Sequence, residues 1–64
     1  MVKINGENLD IAGRTLFEYL LDAGYDTGRI AVEKNGDIVP KAAYEKTVFA
    51  DGDIVEVVSF VGGG

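Results

Sequence analysis

Asp51-Gly52-Asp53-Ile54-Val55-Glu56-Val57-Val58-Ser59-Phe60-Val61 is the stretch whose reading decides the architecture. Its first three residues are turn formers, and Ile54 to Val61 is the longest β-favouring run in the chain. Apolar residues fall on both parities, so this strand cannot have one fully solvated face. Either it lies centrally in a sheet with one face under a helix, or its second face docks a partner. Turning Val55 and Val57 toward a helix leaves Ile54, Val58 and Phe60 on the outer face, with Glu56 between them. Beyond Val61 stand only Gly62-Gly63-Gly64.

The segments that precede this strand supply its neighbours. Val2 and Ile4 alternate with Lys3 and Asn5, and Asn5-Gly6 is a two-residue hairpin signal before Leu9 and Ile11 resume the alternation. Thr15-Leu16-Phe17-Glu18 fits a capping box that opens a helix of about ten residues. Leu16, Tyr19, Leu20 and Ala23 share one face at helical spacing, Phe17 and Leu21 flank it, and Gly24 supplies the left-handed stop. After a loop at Tyr25-Asp26-Thr27-Gly28, the run Ile30 to Lys34 has its β-branched residues at even positions and reads as a strand. Asn35-Gly36 then predicts a second hairpin whose return strand, Ile38-Val39, ends at Pro40. Ala42 to Glu45 is expected to form one helical turn with Tyr44 inward. The order strand, strand, helix, strand, strand, strand is an α+β pattern in which one helix covers a single mixed sheet.

Composition narrows the function classes. Sixty-four residues make one small domain, and a chain of this size buries only about 60% of the surface its unfolded form exposes. With neither cysteine nor histidine, disulfides and the usual zinc sites are absent. Six basic against eleven acidic residues give a net charge of −5, which repels phosphate backbones and anionic lipid, so no nucleic-acid or membrane partner is expected. The same charge favours encounter with a positively charged protein face. No apolar run approaches the ~20 residues that span a bilayer, and Met1 to Asn5 carry no signal-peptide core, so a cytoplasmic protein is expected.

Intrinsic catalysis finds no residues to carry it. Nucleophilic and acid–base mechanisms need an activated nucleophile or a tuned proton carrier, and the only serine, Ser59, lies in a strand with no base beside it. Asp51 and Asp53 flank a turn glycine, where their carboxylates bond local amides; Val55 stands where a calcium loop would need another oxygen. Neither a G-x-G-x-x-G nor a Walker lysine pattern occurs, so no nucleotide loop is expected. The unusual group is the α-carboxylate of Gly64. An arm of Gly62, Gly63 and Gly64 passes through a slot too narrow for any Cβ, and a carboxylate admitted that way becomes reactive once adenylation gives it a better leaving group.

Four features together resemble the ThiS family of sulfur carriers in thiamin thiazole biosynthesis. They are the Asn5-Gly6-Glu7 turn, Thr15-Leu16 at the helix start, Ala31-Val32-Glu33-Lys34-Asn35-Gly36-Asp37-Ile38-Val39-Pro40-Lys41, and Asp51-Gly52-Asp53-Ile54-Val55-Glu56-Val57. The glycine ending is similar too, and the resemblance covers essentially the whole chain. It implies a ubiquitin-like β-grasp fold over residues 1–61, with one main helix on a mixed sheet of four to five strands, the last strand central and parallel to the first, and a flexible tail at 62–64. It further implies that a ThiF-like adenylating enzyme uses ATP and Mg to activate the Gly64 carboxylate, this chain itself binding no cofactor. A cysteine-desulfurase persulfide relay then supplies sulfur for a thiocarboxylate, which a ThiG-like thiazole synthase consumes.

The family docks partners through the sheet surface near the tail, which maps to Ile54, Val58, Phe60 and Val61. Core packing is the competing reading of these four, and Phe60, a large aromatic beside the tail, is the preferred docking residue. A monomer is expected when the chain is free. Ala23 stands where the family often has a larger aliphatic, so the core is expected to be slightly underfilled there. The competing functions are a related carrier for molybdopterin or tRNA thiolation, a non-catalytic β-grasp interaction module, and a protein modifier joined to lysines through the same carboxylate.

Overall fold

The computed structural model describes residues 1–60; Val61, Gly62, Gly63 and Gly64 lie outside the described residues. Those described form five strands and one α-helix: β1 (Val2–Ile4), β2 (Glu7–Leu9), α1 (Leu16–Asp22), β3 (Ile30–Lys34), β4 (Asp37–Val39) and β5 (Ile54–Ser59). The strands make one mixed sheet in the order β2-β1-β5-β3-β4. Strand β5 pairs parallel with β1, setting Lys3 against Ile54, and antiparallel with β3, from Ile30 against Ser59 to Lys34 against Val55. The expected β-grasp arrangement, with the last strand central and parallel to the first, is therefore the observed one.

Both hairpins close through the same chemistry. Asn5 and Gly6 have φ of 50° and 84°, and Asn35 and Gly36 have φ of 53° and 89°. Two consecutive positive φ values make a type I′ turn, whose twist suits the flanking strands and which asparagine followed by glycine adopts most readily. Each two-residue loop fixes its register, Ile4 opposite Glu7 in one hairpin and Lys34 opposite Asp37 in the other.

Helix α1 starts on the capping box read from the sequence, with the Glu18 N–H donating to the Thr15 hydroxyl and the Thr15 N–H donating to the Glu18 carboxylate. It stops after seven residues rather than about ten. The Gly24 N–H donates to the Leu21 carbonyl and the Tyr25 N–H to the Leu20 carbonyl, the two bonds of a Schellman stop, with Gly24 at φ 84°. Ala23 is therefore the C-cap and is exposed, not a member of the buried face. The expected underfilling at Ala23 fails for that reason, since no core position exists there.

One face of the sheet meets the helix. Val2, Ile4, Leu16, Leu20, Ile30, Val32, Val55 and Val57 are buried between them, and Tyr44 points inward as expected. Phe49 completes this core with its ring edge-on to Tyr19 at 6.0 Å, a contribution the alternation patterns did not indicate. Its segment is held by backbone bonds rather than by a regular strand. The Phe49 N–H donates to the Arg14 carbonyl, and the Gly13 N–H donates to the Phe49 carbonyl. No helix among the described residues is long and apolar enough to cross a membrane.

Candidate functional site

With the only α-helix of the described residues on one side, nothing among those residues covers the opposite side of the sheet. The parity of β5 sends Val55 and Val57 into the core and Ile54, Glu56 and Val58 outward, as the sequence reading expected. Ile54 is 57% exposed, Val58 54% and Phe60 59%, which decides for surface over core packing at all three. Phe60 follows the strand, yet its N–H donates to the Arg29 carbonyl at 2.8 Å, so the β3–β5 ladder continues to it. These three residues are thus brought to one face, while Val61 and the candidate carrier residues Gly62, Gly63 and Gly64 lie outside the described residues.

The face extends beyond what sequence reasoning assembled. Ile38 is 66% exposed and sits opposite Glu33, which in turn sits opposite Glu56. Ala31 lies opposite Val58. The Asn35-Gly36 turn held the signal: a two-residue hairpin pairs Lys34 with Asp37, and one step further pairs Glu33 with Ile38.

Two asparagine side chains fasten β5 from its flanks. The Val57 N–H donates to Asn5 Oδ1 at 2.8 Å and Asn5 Nδ2 donates to the Val57 carbonyl at 3.2 Å, prolonging the β1–β5 pairing into the turn. On the other flank the Ile54 N–H donates to Asn35 Oδ1 at 2.9 Å, and the Asn35 N–H donates to the Ile54 carbonyl at 2.7 Å. Asparagine in these turns therefore combines tolerance of positive φ with an amide that continues the sheet's hydrogen bonding.

Asn35 also reaches the buried carboxylate at the entrance to β5. Asp53 is 7% exposed, accepting from Asn35 Nδ2 at 3.0 Å and from the Ala50 N–H at 2.8 Å, with Lys34 Nζ 3.8 Å away. Burial alone would push this carboxyl up, but the Ala50 amide, the Asn35 amide and the Lys34 ammonium together hold it below its ordinary value. Asp51 instead takes the chain's terminal ammonium. The two aspartates of the turn are thus structural, as their position around Gly52 suggested.

Alternative sites carry less. Among the described residues, no three His, Cys, Asp or Glu side chains gather as a metal site. An open cleft of about 350 Å³ lies beside Phe17, Thr27, Lys41 and Tyr44, away from the outer face of β5. The Lys41 ammonium there is engaged by the carbonyls of Thr27 at 3.2 Å and Ile30 at 3.4 Å.

The model of the ThiS family matches residues 2–64. A sulfur carrier protein ThiS from Thermus thermophilus is 36% identical over 64 residues, covering 100% of both chains. A thiazole synthase from Paramagnetospirillum magneticum is 44% identical over 62 residues, 95% of this chain but 19% of that protein, so the chain spans about a fifth of its length. The crystal structure of a ThiS thiamine biosynthesis protein from Geobacter metallireducens superposes with a TM-score of 0.77 at 30% identity, covering 98% of this chain and 97% of the other.

Proposed function

We propose, from the premise that the chain belongs to the ThiS family, that it is a sulfur carrier of thiamin biosynthesis that works through the α-carboxylate of Gly64. The observation that carries this reading is the end-to-end match to a protein named as a sulfur carrier, with 100% of both chains covered. In this reading the chain is a co-substrate rather than an enzyme. A ThiF-like enzyme binds ATP and Mg, the Gly64 carboxylate oxygen attacks the α-phosphorus, and pyrophosphate leaves. The acyl-adenylate is then attacked at its carbonyl carbon by the terminal sulfur of a persulfide from a cysteine-desulfurase relay, with AMP as leaving group. A thiol reduces the resulting S–S bond and frees the thiocarboxylate, which a ThiG-like thiazole synthase uses as its sulfide source.

Two features of the chain support this division of labour. The outer face around Ile54, Val58 and Phe60 lies on the strand that leads directly to Val61 and the glycines, so docking there would aim Gly62, Gly63 and Gly64 into a partner. The carrier brings no cofactor, acts as a monomer when free, and works in the cytoplasm, where its partners supply the chemistry.

Intact-mass spectrometry tests the reading. The protein is incubated with the adenylating enzyme, Mg-ATP, cysteine and a cysteine desulfurase. The expected product differs by exchange of one oxygen for one sulfur, located at Gly64 by fragmentation. No exchange, or sulfur found on any other residue, overturns it.

A further inference from the structure

Asn5-Gly6 and Asn35-Gly36 occupy equivalent turns, and an asparagine followed by glycine has a chemistry of its own. The glycine nitrogen, with no neighbouring Cβ to shield it, can attack the asparagine side chain. An N–Cγ bond forms, the Cγ–Nδ2 bond breaks, and ammonia leaves with the proton of the attacking amide. Water then opens the cyclic imide. Addition at Cγ gives aspartate, while addition at the main-chain carbonyl carbon gives isoaspartate, in which the chain runs through Cγ and is one atom longer. Asn8 precedes Leu9, whose side chain shields the corresponding nitrogen.

The folded geometry opposes the first step at both pairs. Ring closure needs the glycine nitrogen and the asparagine Cβ nearly eclipsed about the Cα–C bond. Asn5 and Asn35 have φ of 50° and 53°, in the left-handed region where a ψ of about +47° sets those two atoms nearly opposite each other. The side chains are held as well. Asn35 Oδ1 accepts from the Ile54 N–H at 2.9 Å and Nδ2 donates to Asp53 Oδ1 at 3.0 Å, while Asn5 makes paired bonds to the main chain of Val57. Attack therefore requires the turn to leave its positive-φ conformation and the amide to release β5, which is a local opening of the sheet.

The two products meet different surroundings. A carboxylate at residue 35 faces Asp53, which is 7% exposed and has lost its amide donor from that side. Isoaspartate at residue 35 adds an atom to the two-residue loop whose length sets Lys34 against Asp37. Aspartate at residue 5 still accepts from the Val57 N–H and opposes only a neutral carbonyl.

We propose that Asn35-Gly36 is a modification site guarded by the fold: it deamidates when the β3–β4 turn opens from β5, and its products keep that turn from closing again. The folded domain preserves its own asparagine, and a chain held open long enough loses the way back. The inference does not rest on the carrier reading, which the oxygen-to-sulfur exchange tests separately.

The test ages the full chain at mildly alkaline pH, in native buffer and in guanidinium chloride above the unfolding transition, and follows residues 5, 8 and 35 by peptide mass mapping. In denaturant, residues 5 and 35 are expected to convert at similar rates while residue 8 stays intact. In the folded chain, residue 35 is expected to convert about 100-fold or more slowly than in denaturant. Gly36→Ala, measured in denaturant where its effect on folding does not enter, should slow conversion at residue 35 alone. Chains converted only at residue 35 are then separated from those carrying aspartate only at residue 5, returned to native buffer and unfolded in urea. The residue-35 products are expected to show a lower midpoint than both the unmodified chain and the residue-5 product, or to stay unfolded. A smaller ratio between the unfolded and folded rates overturns the inference, and so does a residue-35 product that regains the native midpoint.

Discussion

Replacing Asn35 with aspartate changes a single heavy atom of the side chain, yet the structure predicts a large and pH-dependent loss of stability. Aspartate tolerates the φ of 53° and still offers an oxygen to the Ile54 N–H. It loses the donor that sits 3.0 Å from Asp53 Oδ1 and puts a second anion in its place. A hydrogen bond to a charged group contributes about 1.5–3 kcal/mol. Two unit charges 4 Å apart repel by about 4 kcal/mol at an effective dielectric of about 20, and the exposure of residue 35 reduces that to about 1–2 kcal/mol through solvent screening. The expected loss at pH 7 is thus about 2.5–5 kcal/mol, against a total of about 3–10 kcal/mol for a domain of this size.

The sign of the pH effect separates this cause from simple loss of a contact. In Asn35→Asp the folded pair of carboxyls shares a proton more readily than the unfolded chain, whose aspartates titrate at about 3.9. Between pH 7 and about pH 5 the folded state therefore takes up protons first, and stability rises as pH falls. Asn35→Gly keeps the backbone conformation and removes both side-chain bonds, so it is expected to lose stability without that recovery. Urea unfolding followed by circular dichroism at pH 7 and pH 5 makes the comparison. With about 1 kcal/mol per M for so small a domain, the drop in midpoint at pH 7 is about 3 M or complete unfolding. A loss below about 1 kcal/mol, or no recovery on acidification relative to Asn35→Gly, would refute the reasoning.

Asp53→Asn is expected to lose about 1–3 kcal/mol at neutral pH. Because its carboxyl is held below the ordinary value, its contribution is complete above about pH 3.9 and disappears as pH falls through the depressed folded value; urea midpoints of the two proteins should therefore converge between pH 5 and about pH 2. Phe60→Ala should weaken thiazole synthase binding by at least about 1 kcal/mol while moving the urea midpoint very little, since the ring is 59% exposed; an equal loss of stability would make it a core residue. Gly64→Ala should slow adenylation with an unchanged circular dichroism spectrum, measured by pyrophosphate release with the activating enzyme, and an unchanged rate would mean that the enzyme's slot admits a Cβ. Leu20→Ala should cost about 2–5 kcal/mol in urea unfolding, because Leu20 is fully buried between helix and sheet.

Much of the fold was legible because its signals are local. The Asn-Gly turns, the Thr15–Glu18 box and Gly24 each act within a few residues, and each is found as read. The helix length and Ala23 were misread because apolar spacing continues to Ala23, one residue past the last helical residue, Asp22. Phe49 escaped because it lies outside any periodic run and is buried through long-range bonds to Gly13 and Arg14. The same limit hid the second role of the two asparagines, whose bonds to β5 join residues 52 and 19 positions apart. Strand parity placed Ile54, Val58 and Phe60 on the outer face, where they are exposed, while the positions of Ile38 and Glu33 on it needed the register of three strands together.

That parity signal was ambiguous for a physical reason, and the amount of available cover resolves it. A strand apolar on both faces fits a sheet layered on both sides or a sheet with one face open to a partner. Seven helical residues rise about 10 Å, enough to cover the middle of one face of this sheet, and the described residues contain no second α-helix. The outer apolar groups on β5 therefore stay exposed while their alternates are buried, as the values for Ile54, Val55, Val57 and Val58 show. Within this surface Glu33 and Glu56 stand opposite each other, an arrangement that works against β3–β5 pairing, with exposed Lys3 beside Ile54 on the β1 side. Under the proposed carrier function, an open apolar face on the strand that leads to the glycines has a use that folding alone does not require: a partner seated on it would receive the last residues.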